Sequence, residues 1–170
     1  MTLITRRHDD GHRVSEAVYS PCEKYRYALT RVWVPEGKRL LYIMLNPSKA
    51  TELANDPTIE RCERRARALG YGGFRVCNLF ALRETDPARL KRARRPEGPD
   101  NMAQIGEALD WCDEVLCAWG VHGVHRDQGA KVLERLQASP KNCLALGITK
   151  DGHPRHPLYV SYKITPKPWG

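Results

Sequence analysis

Apolar and polar positions alternate along this chain in two rhythms. Residues 25–34 read Tyr-Arg-Tyr-Ala-Leu-Thr-Arg-Val-Trp-Val, a rough period of two that predicts a strand. Pro35-Glu36-Gly37-Lys38 predicts a turn, and residues 39–45 a second, mostly apolar strand. Together they predict a hairpin with the first strand at the sheet edge. Residues 1–24 are polar and show no clear period, which predicts an irregular segment. After the polar loop 46–55 the period changes to that of a helix. Asp56 is a suitable N-cap, Pro57 suits the first helical position, and Ile59, Cys62, Ala66 and Leu69 fall on one face before Gly70.

The rhythms then repeat. Residues 73–82, 115–119 and 143–146 read as strands. Asp86-Pro87 opens a short helix, residues 100–112 a second with Met102, Ile105 and Leu109 inward, and residues 127–138 a third with Val132, Leu133 and Leu136 inward. From Gly147 onward the chain is rich in loops. Strands alternating with helices predict one α/β domain over residues 1–170. Its expected form is three-layer α/β/α, with a mainly parallel four-stranded central sheet plus an N-terminal edge strand. In such folds sites form at the carboxyl ends of the strands.

Composition narrows the class. The 170 residues are 41% hydrophobic, enough for one sizeable core, which excludes a disordered or fibrous chain. No apolar run approaches the roughly 20 residues that span a bilayer, and no apolar stretch follows Met1, so a cytoplasmic monomer with no membrane contact is expected. Lys plus Arg number 28 against 20 Asp plus Glu, a net charge of +8, which points to an anionic partner such as a nucleic acid. The six cysteines form no C-x-x-C pair and mostly lie in apolar stretches, so free thiols are expected and no metal site.

The candidate chemistry sits in the loops after the strands. Pro47 holds Asn46 in an extended conformation at a strand tip, where its amide can orient a water or close an Asx-turn. Asp56 is the nearest carboxylate, able to cap the helix or to assist that water. Asn78 is an amide among apolar neighbours, so it is satisfied by backbone or reads a ligand. Residues 150–159 carry two His-Pro pairs, His153-Pro154 and His156-Pro157, stiffened by their prolines and flanked by Lys150 and Arg155. Lys91, Arg92, Arg94 and Arg95 form a basic loop that can contact phosphates or be a solvated face.

At Leu45-Asn46-Pro47-Ser48 the chain resembles the uracil-DNA glycosylase superfamily, which carries Asp or Asn before Pro at a strand end, an Asn that reads the flipped base, and a late His-Pro loop. Asn78 and the His-Pro pairs match the second and third. Met44 stands where the mismatch-specific branch has Gly, and no Ser-Pro follows the His-Pro pairs. More closely, Leu45-Asn46-Pro47-Ser48, Asn55-Asp56-Pro57-Thr58, Gly70-Tyr71-Gly72-Gly73, Asn78-Leu79-Phe80-Ala81 and the run from Thr149 to Tyr159 resemble the DUF1643 family over roughly residues 20–169.

These resemblances imply a uracil-DNA-glycosylase-like fold and a monofunctional DNA glycosylase with no cofactor. The candidate substrate is glucosylated hydroxymethylcytosine in phage DNA, in anti-phage defence. Asn46 would orient water, Asn78 hold the base edge, and His156 or His153 stabilise the departing base. Phe80 or Tyr159 would stack on it, with Ser48 beside them. The alternatives are a hydrolase of free nucleotides or nucleosides and a non-catalytic nucleic-acid binder.

Overall fold

The computed structural model describes residues 2–170. Its centre is one mixed sheet of eight strands with helices on both faces. The chain enters through an antiparallel meander, β1 (Ile4–Asp9), β2 (Val14–Tyr19) and β3 (Arg26–Val32). It continues through β4 (Arg39–Met44), α1 (Pro57–Ala68), β5 (Gly73–Asn78), α2 (Pro87–Arg92) and α3 (Asn101–Trp111). Last come β6 (Glu114–Cys117), α4 (Gln128–Gln137), β7 (Asn142–Ala145) and the two-residue β8 (Lys167–Pro168). The strand order is β1-β2-β3-β5-β4-β6-β7-β8.

This corrects the sheet expected from the sequence. Three pairings, β5 with β4, β4 with β6 and β6 with β7, are parallel. The other four are antiparallel, so the sheet is not mainly parallel. The segment expected to be irregular, residues 1–24, of which Met1 lies outside the described residues, is not irregular over 2–24 either. It supplies β1 and β2, which apolar period could not reveal. On β2 the buried positions include Ser15 and Ala17, and β1 is an edge strand whose Arg6, Arg7 and His8 face water. Nor do β3 and β4 form a hairpin. Leu29 of β3 and Tyr42 of β4 both pair with Val76, so β5 lies between them. Six of the seven β3 residues are buried, and such a strand needs neighbours on both edges.

Period two in the inner strands divides the core. Leu40, Tyr42, Phe74 and Val76 pack towards Ile59, Cys62 and Ala66 of α1. Leu41, Ile43 and Cys77 pack towards Ile105 and Leu109 of α3 and Val132 and Leu136 of α4. Each fully buried Leu or Ile contributes roughly 1.5–3 kcal/mol. Met102 and Leu69, expected inward, are 39% and 37% exposed because each sits at the end of its helix. All six cysteines are free. No helix among the described residues is long and apolar enough to cross a membrane.

Candidate active site

β4 and β5 end side by side, with Met44 paired to Asn78. Beyond them the carboxyl ends of the strands, the start of β3, the first turn of α1 and the 156 loop enclose a half-open cavity of about 190 Å³. That is roughly six waters' worth of space, and it falls below the roughly 300 Å³ at which pockets for drug-sized ligands begin. It has room for one base or one sugar.

Asn78 continues the face of Phe74 and Val76 and points its amide at this space. The residue is 1% exposed, yet neither Nδ2 nor Oδ1 has a partner among the described residues. Its backbone is held firmly from behind. Asn101 Nδ2, at the start of α3, donates to the Asn78 carbonyl at 2.7 Å and the Leu79 carbonyl at 3.1 Å, and Gln128 Nε2 donates to the Leu79 carbonyl at 3.1 Å. The side chain of Asn78 is free while its strand end is fixed.

Asn46 lies on the same cavity. Its Nδ2 donates to the Glu84 carbonyl, which leaves Oδ1 as an acceptor. Ser48 is the next lining residue but one, and its buried Oγ has no partner among the described residues. Asp56 is not part of the lining. Its Oδ1 accepts the Ile59 N–H at 2.9 Å and its Oδ2 the Lys49 N–H at 2.8 Å. The structure gives Asp56, expected as a cap or a catalytic carboxylate, the place of the cap. Both oxygens are engaged, and the carboxylate caps α1 and pins the loop that carries Asn46.

Of the two His-Pro pairs only the second reaches the cavity. Gly120 N–H donates to the Pro154 carbonyl at 2.8 Å, from a backbone at φ 73° that favours glycine. Arg61 and Arg65 of α1 donate to the Val160 carbonyl at 2.7 and 2.8 Å. These ties hold His156 in the cavity wall. Its Nδ1 accepts the Leu158 N–H at 3.2 Å, so the neutral ring carries its proton on Nε2. Burial pushes its pKa below the usual histidine value, which favours that neutral donor. His153 instead lines a separate hollow with Trp119 and Trp169.

Other expected residues fall elsewhere. Phe80 is fully buried in the core, 5.6 Å from the His125 ring, and cannot stack on a ligand in the cavity. The alternation of β5 stops at Asn78, and Leu79 and Phe80 both turn towards α3 and α4. Tyr159 is 88% exposed beside the His156 loop, outside the cavity. Lys91, Arg92, Arg94 and Arg95 are exposed on and after α2. That helix has six residues, so it spans about 9 Å, and it starts just after Thr85 on the cavity rim. Lys150 and Arg155 are exposed on the 147–155 loop and neither lines the cavity, Arg155 lying in another groove.

The sequence reading missed Arg26. The first residue of β3, it is 1% exposed and lines the cavity. Its signal was an arginine inside an apolar strand. It missed Asn101 and Gln128 too, which look like ordinary helix-start residues.

Residues 26–158 match the family described as "Protein of unknown function (DUF1643)". This chain belongs to that family. Every residue lining the cavity falls within the matched stretch, which starts at Arg26 and ends two residues after His156. The first two strands of this DUF1643 protein lie before it. No curated protein matches the chain. Among solved structures it is similar to "Putative hydrolase from Agrobacterium vitis S4", with 12% identity and a TM-score of 0.39. That likeness covers 84% of this chain, which spans about half, 50%, of the other.

Proposed function

We propose that this DUF1643 protein is a monofunctional DNA glycosylase that takes a flipped, modified base into the cavity and hydrolyses its N-glycosidic bond. One observation carries the reading. The Asn78 amide is buried, held on a rigid strand end, and neither of its polar atoms has a partner among the described residues. A buried amide left this way costs roughly 1–3 kcal/mol. A base edge supplies the matching donor and acceptor.

The remaining groups fit the same chemistry. Base flipping costs a few kcal/mol and exposes the glycosidic bond. As that bond breaks, its electron pair leaves with the base and positive charge grows on the sugar. Asn46 Oδ1 orients the water that adds to C1′. The water's lost proton and the base's gained one balance through solvent. His156 Nε2–H donates to the base, and Ser48 Oγ has a free hydroxyl beside it. Outside the cavity, the exposed Lys91, Arg92, Arg94 and Arg95 contact phosphates, and Tyr159 meets the nucleotides that flank the flipped one. Glucosylated hydroxymethylcytosine remains the candidate base. Its ring suits a one-base cavity, with the glucose in the open mouth.

The test is incubation of the full chain with plain and glucosylated phage DNA, scoring abasic sites. Abasic sites in the modified DNA are expected, and their loss in Asn78→Ala with DNA binding retained. A folded wild type that forms none on any DNA overturns the reading. Base release from free nucleosides alone would make the protein a nucleoside hydrolase, which a one-base cavity also fits.

A further inference from the structure

Arg26 has a fully buried guanidinium with little to hold it. Nη1 donates to the Ala50 carbonyl at 2.8 Å, and buried Nε has no partner among the described residues. No carboxylate lies within ion-pair distance of it among those residues. Asp56, whose negative charge favours the cation, makes no ion pair with it and spends both oxygens on backbone N–H groups. Burial lowers the Arg26 pKa to about 10, so it stays cationic at neutral pH. A buried charge without an ion-pair partner is a heavy load for a fold to carry.

The backbone is shaped to put it there. β2 pairs Val18 with Ala28 and Tyr19 with Arg26, so Tyr27 is an extra residue in a bulge. Without the bulge Tyr19 would face Tyr27, and Arg26 would point to the opposite side of the sheet. With it, Arg26 shares the face of Tyr19 and Leu29, the α1 face on which the cavity opens. Bulges commonly re-aim one side chain beside a site.

We propose that Arg26 is a further catalytic residue, the cation that receives the negative charge of the departing base, and that the cavity therefore prefers a base leaving as an anion. This rests on the glycosylase reading above. The C1′–N bond breaks with its electron pair on the base ring, water oxygen bonds to C1′, and the base anion is held by Arg26 until solvent protonates it. Asn78 reads the base edge, and Arg26 meets the charge that appears only as the bond opens.

The experiment compares wild type with Arg26→Met and Arg26→Lys in three measurements: single-turnover abasic-site formation, DNA affinity, and melting temperature with barbiturate or uracil. Barbiturate is a ring anion at neutral pH, and uracil is its neutral counterpart. The expected loss of base release in Arg26→Met is about a hundredfold or more, with DNA affinity within a few-fold. Arg26→Lys keeps part of the rate. Barbiturate should raise the melting temperature of wild type but not of Arg26→Met, and uracil should do much less. Without ligand, Arg26→Met should melt no lower than wild type, because it removes a buried charge that has no ion-pair partner among the described residues.

Release by Arg26→Met within about threefold of wild type, equal barbiturate stabilisation of both proteins, or collapse of the Arg26→Met fold would each overturn the proposal. If wild type releases no base from any DNA, the glycosylase reading fails by itself, and the barbiturate comparison still decides whether Arg26 receives charge in the cavity.

Discussion

Three arginines are fully buried on the α1 side of the sheet, and they divide into two kinds. Arg31 and Arg65 are staples, each with several bonds to loop groups, although Arg31 Nη1 and Arg65 Nε also lack a partner among the described residues. Arg31 donates to the carbonyls of Thr51 and Ala54 and twice to Asn55 Oδ1, closing the 46–55 loop. Arg65 donates to the carbonyls of Val160, Ser161 and Ile164, closing the C-terminal loop onto α1. The cavity is different. Among the described residues Arg26 makes one such bond, while the Asn78 amide and the Ser48 hydroxyl make none. Buried polar groups in folded proteins are nearly always partnered. Where they are partnered by loop carbonyls they hold structure. Where several are left open around one space, the partner is to come from outside.

The largest expected effect breaks the site and spares the fold. Asn46→Ala should reduce base release by roughly 10²–10³-fold or more, with DNA affinity within a few-fold and little change in melting temperature. The measurement is single-turnover abasic-site formation beside equilibrium binding of uncleavable DNA. A folded and fully active Asn46→Ala protein would mean that the cavity's water is oriented by another group.

The next breaks a staple. Arg65→Met removes three hydrogen bonds, with Arg61 still on the Val160 carbonyl and the Ile164 N–H still on that of Ser161, and should cost roughly 3 kcal/mol, a fall of about 6–12 °C in melting temperature for a domain of this size. Asn78→Leu should do the reverse. It fills the same space without an unpartnered amide and should melt at or above wild type while losing base recognition. If thermal denaturation showed equal losses for the two, the division between staples and open groups would not hold.

Exposed cations form a third case and should act through salt alone. If Arg92, Arg94 and Arg95 each neutralise one phosphate, replacing all three by Ala should reduce the slope of log affinity against log salt by about 2.7. The fold and the single-turnover rate at saturating enzyme should not change. An unchanged slope would make the loop a solvated face.

The contrast also marks what the sequence could tell. Asn46, Ser48, Asn78 and His156 were legible because proline, strand ends and an amide in an apolar run leave local marks, and all four reach one cavity. Inner strands and helices were legible from period. Arg26 was not, because its direction depends on a bulge set by long-range pairing with β2, a strand whose buried serine and alanine give no apolar signal. Choosing between His153 and His156 needed the tie from Gly120, and rejecting Phe80 needed the break in alternation after Asn78. Such features belong to tertiary packing, and no short window of residues encodes them.

The smallest effect is on pH, and it sharpens the difference between His156 and the groups around it. Burial puts the folded pKa of His156 below its ordinary value of 6.5. On acidification the unfolded chain therefore binds this proton first. The contribution of neutral His156 to stability is complete above pH 6.5. It declines as pH falls from there towards the folded pKa, and levels off below it. Protonation would also set a second N–H against the Leu158 N–H that Nδ1 now accepts, loosening the turn at Pro157–Tyr159. Urea midpoints taken from pH 7.5 to 5 should thus fall more steeply for wild type than for His156→Gln, which has no proton to gain. Parallel curves for the two proteins would place the imidazole in contact with water and not in the cavity wall.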